Sequence, residues 1–119
     1  MEYTGIYKRL KGNPLTTKKR EDGVKMDIRK DTWVWVVIQD PEGSEVILGQ
    51  HDEENNVSFI PAFLEKEEAL KCLEHLVKEE GKKHEVQAIK YGLLEHYSSE
   101  NGFVIFILNG KGEVLLKLN

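Results

Sequence analysis

Residues 32–39, T-W-V-W-V-V-I-Q, are apolar in both directions along any strand they form. A strand carrying that much β-branched and aromatic surface is stable only where both of its faces are covered. Residues 103–108, F-V-I-F-I-L, have the same character. The two runs therefore mark the centre of one compact unit, and neither carries a reactive group.

The segments around them read as alternating strands and helices. After the first strand, Asp40-Pro41-Glu42-Gly43 supplies turn chemistry, and residues 45–50 return as a second strand. Residues 51–56, H-D-E-E-N-N, form a polar loop. A short strand over 57–60 is expected to stop at Pro61, which has no N–H for a ladder. Residues 65–80 have a helical apolar stripe of Ala69, Leu70, Leu73, Leu76 and Val77, with Gly81 placed to end the helix. A strand follows over 85–89, then a short helix over 91–97 burying Leu93 and Leu94. Two further strands, 103–108 and 113–118, are joined by Asn109-Gly110-Lys111-Gly112. The sum is an α+β fold: a mixed, largely antiparallel sheet of five to six strands with one long and one short helix.

Charge divides the chain. Residues 1–30 hold nine Lys/Arg and four Asp/Glu, 9 − 4 = +5, whereas residues 31–119 hold eight and seventeen, 8 − 17 = −9. Residues 1–31 are read as a basic N-terminal segment and 32–119 as the α+β domain. Within the segment, Lys18, Lys19 and Arg20 are the candidate contacts for nucleic acid or another polyanion. The same charges also suit a segment lying on its own acidic domain, or one surrounded by solvent. Residues 1–10 lack the apolar core of a signal peptide, and no run approaches the roughly 20 apolar residues of a membrane span. Cys72, the only cysteine, fits a reducing compartment, so the expected setting is soluble and cytoplasmic, away from membranes.

No signature of catalysis stands out. Cys72 and His75 are three apart on the expected helix, but a zinc site needs further ligands, and His51, His84 and His96 are scattered singles. Cys72 in mid-helix is also far from the helix N-terminus that would activate a thiolate. The His51-Asp52-Glu53-Glu54 loop gathers a base and three carboxylates, which general acid–base chemistry could use, without the spacing of a calcium loop. Gly110-Lys111-Gly112 lacks the rest of a phosphate-binding loop. Trp33 and Trp35 share one strand face and are read as core residues. No catalytic residue, metal ligand or cofactor is assigned.

Ile60-Pro61-Ala62-Phe63 running into Glu65-Lys66-Glu67-Glu68-Ala69 resembles the N-terminal domain of SseB-like proteins. Tyr91-Gly92-Leu93-Leu94 and the strand over 102–109 ending in Asn-Gly resemble that domain's second half. The resemblance covers about residues 32–118. Leu64 departs from it where a capping Ser or Thr is usual, and Gly110 where a proline often follows the asparagine. The basic segment before residue 32 has no counterpart there. What the resemblance implies is a mixed α/β domain with no established catalytic residues to carry over.

These readings lead to a small cytosolic non-catalytic protein-binding or regulatory module, whose partner is another protein or a second copy. The alternatives are polyanion binding through Lys18, Lys19 and Arg20, and an enzyme built around the His51 loop.

Overall fold

The computed structural model describes residues 28–118. Strand β1 (Trp33–Gln39) runs through its middle and serves two apolar cores. Val34, Val36 and Ile38 pack with Ile60, Ala62, Leu94 and Ile105 on one side, and Val37 packs with Phe59, Phe63, Cys72 and Leu76 on the other. The continuous apolar run thus buries residues on both faces of the strand, with Trp33 at its start left exposed.

Two sheets share these cores. The first has the order β2-β1-β5, with β2 (Val46–Ile47) and β5 (His84–Lys90) both antiparallel to β1. The second has the order β3-β4-β6-β7, from β3 (Gln50–Asp52), β4 (Val57–Ala62), β6 (Val104–Leu108) and β7 (Val114–Leu118). Its β4–β6 pairing is parallel and the rest antiparallel. Helix α1 (Lys66–Cys72) buries Ala69 and Cys72 in the core on the Val37 side, and α2 (Tyr91–Glu100) buries Tyr91 and Leu94 in the other. Among the described residues no helix is long and apolar enough to cross a membrane.

The α+β class stands, but the expected single sheet of five to six strands is corrected to one of three strands and one of four. The chain does not return from β1 as one long hairpin. It leaves β1 after two pairs, crosses at Leu48 and Gly49, and continues as β3 in the other sheet. Among the described residues the sheets meet at one bridge, where Trp35 and Phe63 exchange N–H···O=C bonds of 2.7 and 2.9 Å. Strand β4 also runs through Pro61. There, β3 pairs only as far as Phe59 and the bridge begins at Phe63, so the missing N–H falls in the gap between them.

The expected lengths of the two helices are reversed. α1 ends at Cys72 and continues only as a 3-10 turn over Leu73–His75, after which Leu76 is extended (φ −89°, ψ 149°). Gln50 supplies the reason. It is fully buried, and its amide nitrogen donates to the carbonyls of Gly49 and Val77, both at 2.8 Å, while its Oε1 accepts the Val77 N–H at 2.9 Å. The Val77 backbone therefore has better partners than another helical turn would give it. Lys78 Nζ donates to the carbonyls of Leu73 and Leu76, the former also accepting the Leu76 N–H at 3.3 Å.

α2 is the longer helix, and it starts without a capping side chain. The carbonyls of Thr32 and Lys30 accept its first N–H groups, those of Tyr91 (2.8 Å) and Gly92 (2.9 Å). Ile28 packs against the α2-side core. The last residues of the expected basic segment are thus tied to the body, while residues 1–27 lie outside the described ones.

Replacing Gln50 with Met keeps most of the volume but strands the N–H and C=O of Val77. It should cost about 1–3 kcal/mol of stability, read from urea unfolding. An unchanged midpoint would mean that the amide clamp does not hold the segment after α1.

Candidate functional site

The residues singled out from sequence do not converge. Lys18, Lys19 and Arg20 lie outside the described residues. His51 and Ser58 are cross-strand partners in the β3–β4 hairpin, with His51 Nδ1 3.0 Å from Ser58 Oγ. The buried carboxylate of Asp52 is occupied by turn contacts: the Glu54 N–H at 3.1 Å and Asn55 Nδ2 at 2.6 Å. As the next residue on the strand, Asp52 projects to the opposite face and cannot orient His51. Glu53 and Glu54 are exposed. Cys72 is fully buried, and burial pushes its thiol up to about 12, the reverse of an activated nucleophile. Among the described residues, no group of three or more His, Cys, Asp or Glu side chains is placed to hold a metal ion.

The expectation that both tryptophans are core residues is corrected. Trp35 is half-buried at the margin of the α1-side core, whereas Trp33 is 56% exposed. Leu93, expected to be buried, is 64% exposed. Both lie near one end of β5, whose last residue, Lys90, pairs with Trp33 and leads directly into α2.

β5 lies at the edge of its sheet, and the parity of β1 decides what that edge presents. Trp35 directs its N–H and C=O to Phe63, and the Val37 carbonyl accepts from Leu48. Odd-numbered β1 residues therefore turn their backbone away from β5, and even-numbered ones turn theirs toward it. In the register Val34↔Ile89, Val36↔Gln87 and Ile38↔Glu85, residues 85, 87 and 89 take the ladder bonds. The N–H and C=O groups of Val86 and Ala88 and the N–H of Lys90 then point outward, the Lys90 carbonyl being taken by the first turn of α2, and no other described strand pairs with that side.

Such an edge is a ready template for another strand. Its α1 side is lined by Val86, Ala88 and Lys90, which pair with Val37, Trp35 and Trp33. Lys66 Nζ sits over the Trp35 ring at 5.7 Å, and Lys90 Nζ over Trp33 at 5.1 Å. Leu70, one turn beyond Lys66 on the same helix flank, is 49% exposed. The other long edge, β7, is shorter and irregular: it has a register shift at Ile107/Leu108 and carries the exposed Lys117. Bulges and lysines are the devices that keep edges from pairing. β5 is seven residues long, has a regular register and presents the small Ala88 at its middle. The sequence H-E-V-Q-A-I-K announces a modest strand, but nothing local in it tells that one side stays open.

At the other end of β5, the His84 ring lies 3.0 Å from Gln39 Oε1, and Gln39 Nε2 reaches Glu79 at 3.4 Å. Burial, with Lys78 nearby, holds the His84 imidazole below its ordinary 6.5. The unfolded chain therefore takes up a proton that the folded chain resists. Stability contributed here is present above pH 6.5 and is lost as pH falls through 6.5 toward the depressed folded value. Urea midpoints at pH 7.5 and 5.5 should converge in His84→Gln relative to the parent chain; an equal drop in both would remove His84 as the cause. Cys72 should resist iodoacetamide at pH 8 until urea unfolds the chain, and ready modification of the native protein would show that the thiol is reachable. No family model, curated protein or solved structure matches this chain.

Proposed function

We propose that this chain is a small non-catalytic protein-binding or regulatory module that takes an extended segment of a partner protein onto the outer edge of β5. The observation that carries the reading is the outward row of backbone groups at Val86 and Ala88 with the Lys90 N–H, beside the exposed Trp33 and Leu70. Main-chain bonds to such an edge supply affinity, and the side chains beside it supply selectivity. A cytosolic setting, and the resemblance to the SseB-like N-terminal domain, belong to the same proposal. The latter is supported by the Pro61-Ala62-Phe63 run that closes β4 and leads into α1. The +5 charge of residues 1–30 supports a second reading, polyanion binding through Lys18, Lys19 and Arg20, in which affinity falls steeply with salt.

Two proline substitutions separate the edge from the fold. Ala88→Pro removes an outward N–H and should leave the unfolding midpoint nearly unchanged, whereas Gln87→Pro removes a ladder bond to β1 and should unfold the chain. Peptides selected by display on the full chain should bind the parent and lose at least about tenfold, a cost of about 1.4 kcal/mol, on Ala88→Pro. Peptides that bind both equally, or the absence of any selected peptide, would overturn the reading. Light scattering that shows a dimer dissolved by Ala88→Pro would identify the occupant as a second copy instead.

A further inference from the structure

We propose that the segment received by β5 is acidic, its carboxylates meeting Lys66 and Lys90 while an apolar side chain on the same face seats over Ala88. This deepens the edge reading and rests on it. An added strand would lie about 4.7–4.9 Å outside β5, so its side chains on the α1 side would stand beside Val86, Ala88 and Lys90. Ala88 is exposed and small, and it stands opposite Trp35 in the β1–β5 register. Trp35 backs the site from β1, and Leu70 stands on the same helix flank as Lys66, which reaches over that ring. An extended peptide can place one aliphatic residue there and charged residues two positions away on the same face.

Charge selects which residues those are. Lys66 and Lys90 hold their ammonium groups over the two indole rings, which fixes their position and leaves N–H donors free for a carboxylate. Lys30 joins Lys90 in lining an open depression at the end of the strand, with Asp31, Gly92 and Leu93. Asp31, the carboxylate in that set, is 3.8 Å from Arg29, and Lys30 itself is 4.0 Å from Glu95. Glu85 projects to the α2 side, where it accepts a 2.6 Å bond from Gln87, so it does not offset the lysines. A corner of lysines thus stands on a body whose residues 31–119 sum to 8 − 17 = −9. A basic strand would be repelled there. That argues against the chain's own residues 1–27, which hold seven Lys/Arg and four Asp/Glu, 7 − 4 = +3, as the occupant.

The test uses three blocked peptides of about ten residues in which every second residue is threonine and the remaining positions, which share one face, alternate valine with glutamate, lysine or threonine. Each is titrated calorimetrically into the full chain, with the fluorescence of Trp33 and Trp35, the chain's only tryptophans, as a second readout. The glutamate peptide should bind at least about tenfold more tightly than the other two and weaken as salt is raised. In the double variant Lys66→Glu, Lys90→Glu the preference should pass to the lysine peptide, and Ala88→Pro should abolish binding of every peptide. If the three peptides bind equally and Ala88→Pro abolishes all, the edge stands and the acidic partner falls. If the glutamate peptide binds Ala88→Pro as well as it binds the parent, the lysines act by charge alone and both readings fall. If no peptide binds, both fall as well.

Discussion

The reciprocal hydrogen bonds between Trp35 and Phe63 set the arrangement of everything around them. They join the two sheets at their one bridge among the described residues, and by fixing which way Trp35 turns its backbone they fix the parity of the whole of β1. A one-residue slip of β1 would exchange its two faces, sending Val34, Val36 and Ile38 to the wrong core. With the β1–β5 register kept, it would also exchange the inward and outward groups of β5. The packing of the interior and the chemistry of the outer edge are therefore consequences of one register.

The strands were legible where composition alone decides them. Residues 32–39 and 103–108 read as strands buried on both faces; both form strands that bury residues of both faces, but Trp33 is exposed and Trp35 only half-buried. The misreadings share a cause, a partner distant in sequence. Leu73, Leu76 and Val77 continue the helical stripe, yet the helix ends because the Gln50 amide, 27 residues earlier, takes the N–H and C=O of Val77. Residues 45–50 read as one hairpin strand because nothing local records that Leu48 still bonds Val37 while Gln50 already pairs with Phe59. Leu93 shares the apolar character of Leu94, but the two project about 100° apart on α2, and only Leu94 meets the core.

The candidate site was the least legible part. Trp33 and Trp35 share parity, which the sequence shows, but their fates differ. α1 passes beside Trp35 and leaves Trp33 at the margin, with Lys90 across its ring. Lys30, Lys66 and Lys90, which gather there, are separated by 36 and 24 residues in the chain and form no run, so a search for basic clusters finds Lys18-Lys19-Arg20 instead. The openness of β5 is a property of topology, since it depends on which strands lie beside it and not on its own residues.

Amide exchange along β5 tests the central claim most directly, because it reads each N–H separately under native conditions. The register predicts an alternating pattern, with Glu85, Gln87 and Ile89 protected and Val86 and Ala88 exchanging fast. Uniform slow exchange would show that the outer side is already covered. A pattern of the opposite parity would show that β1 is not held by Trp35 and Phe63 as described.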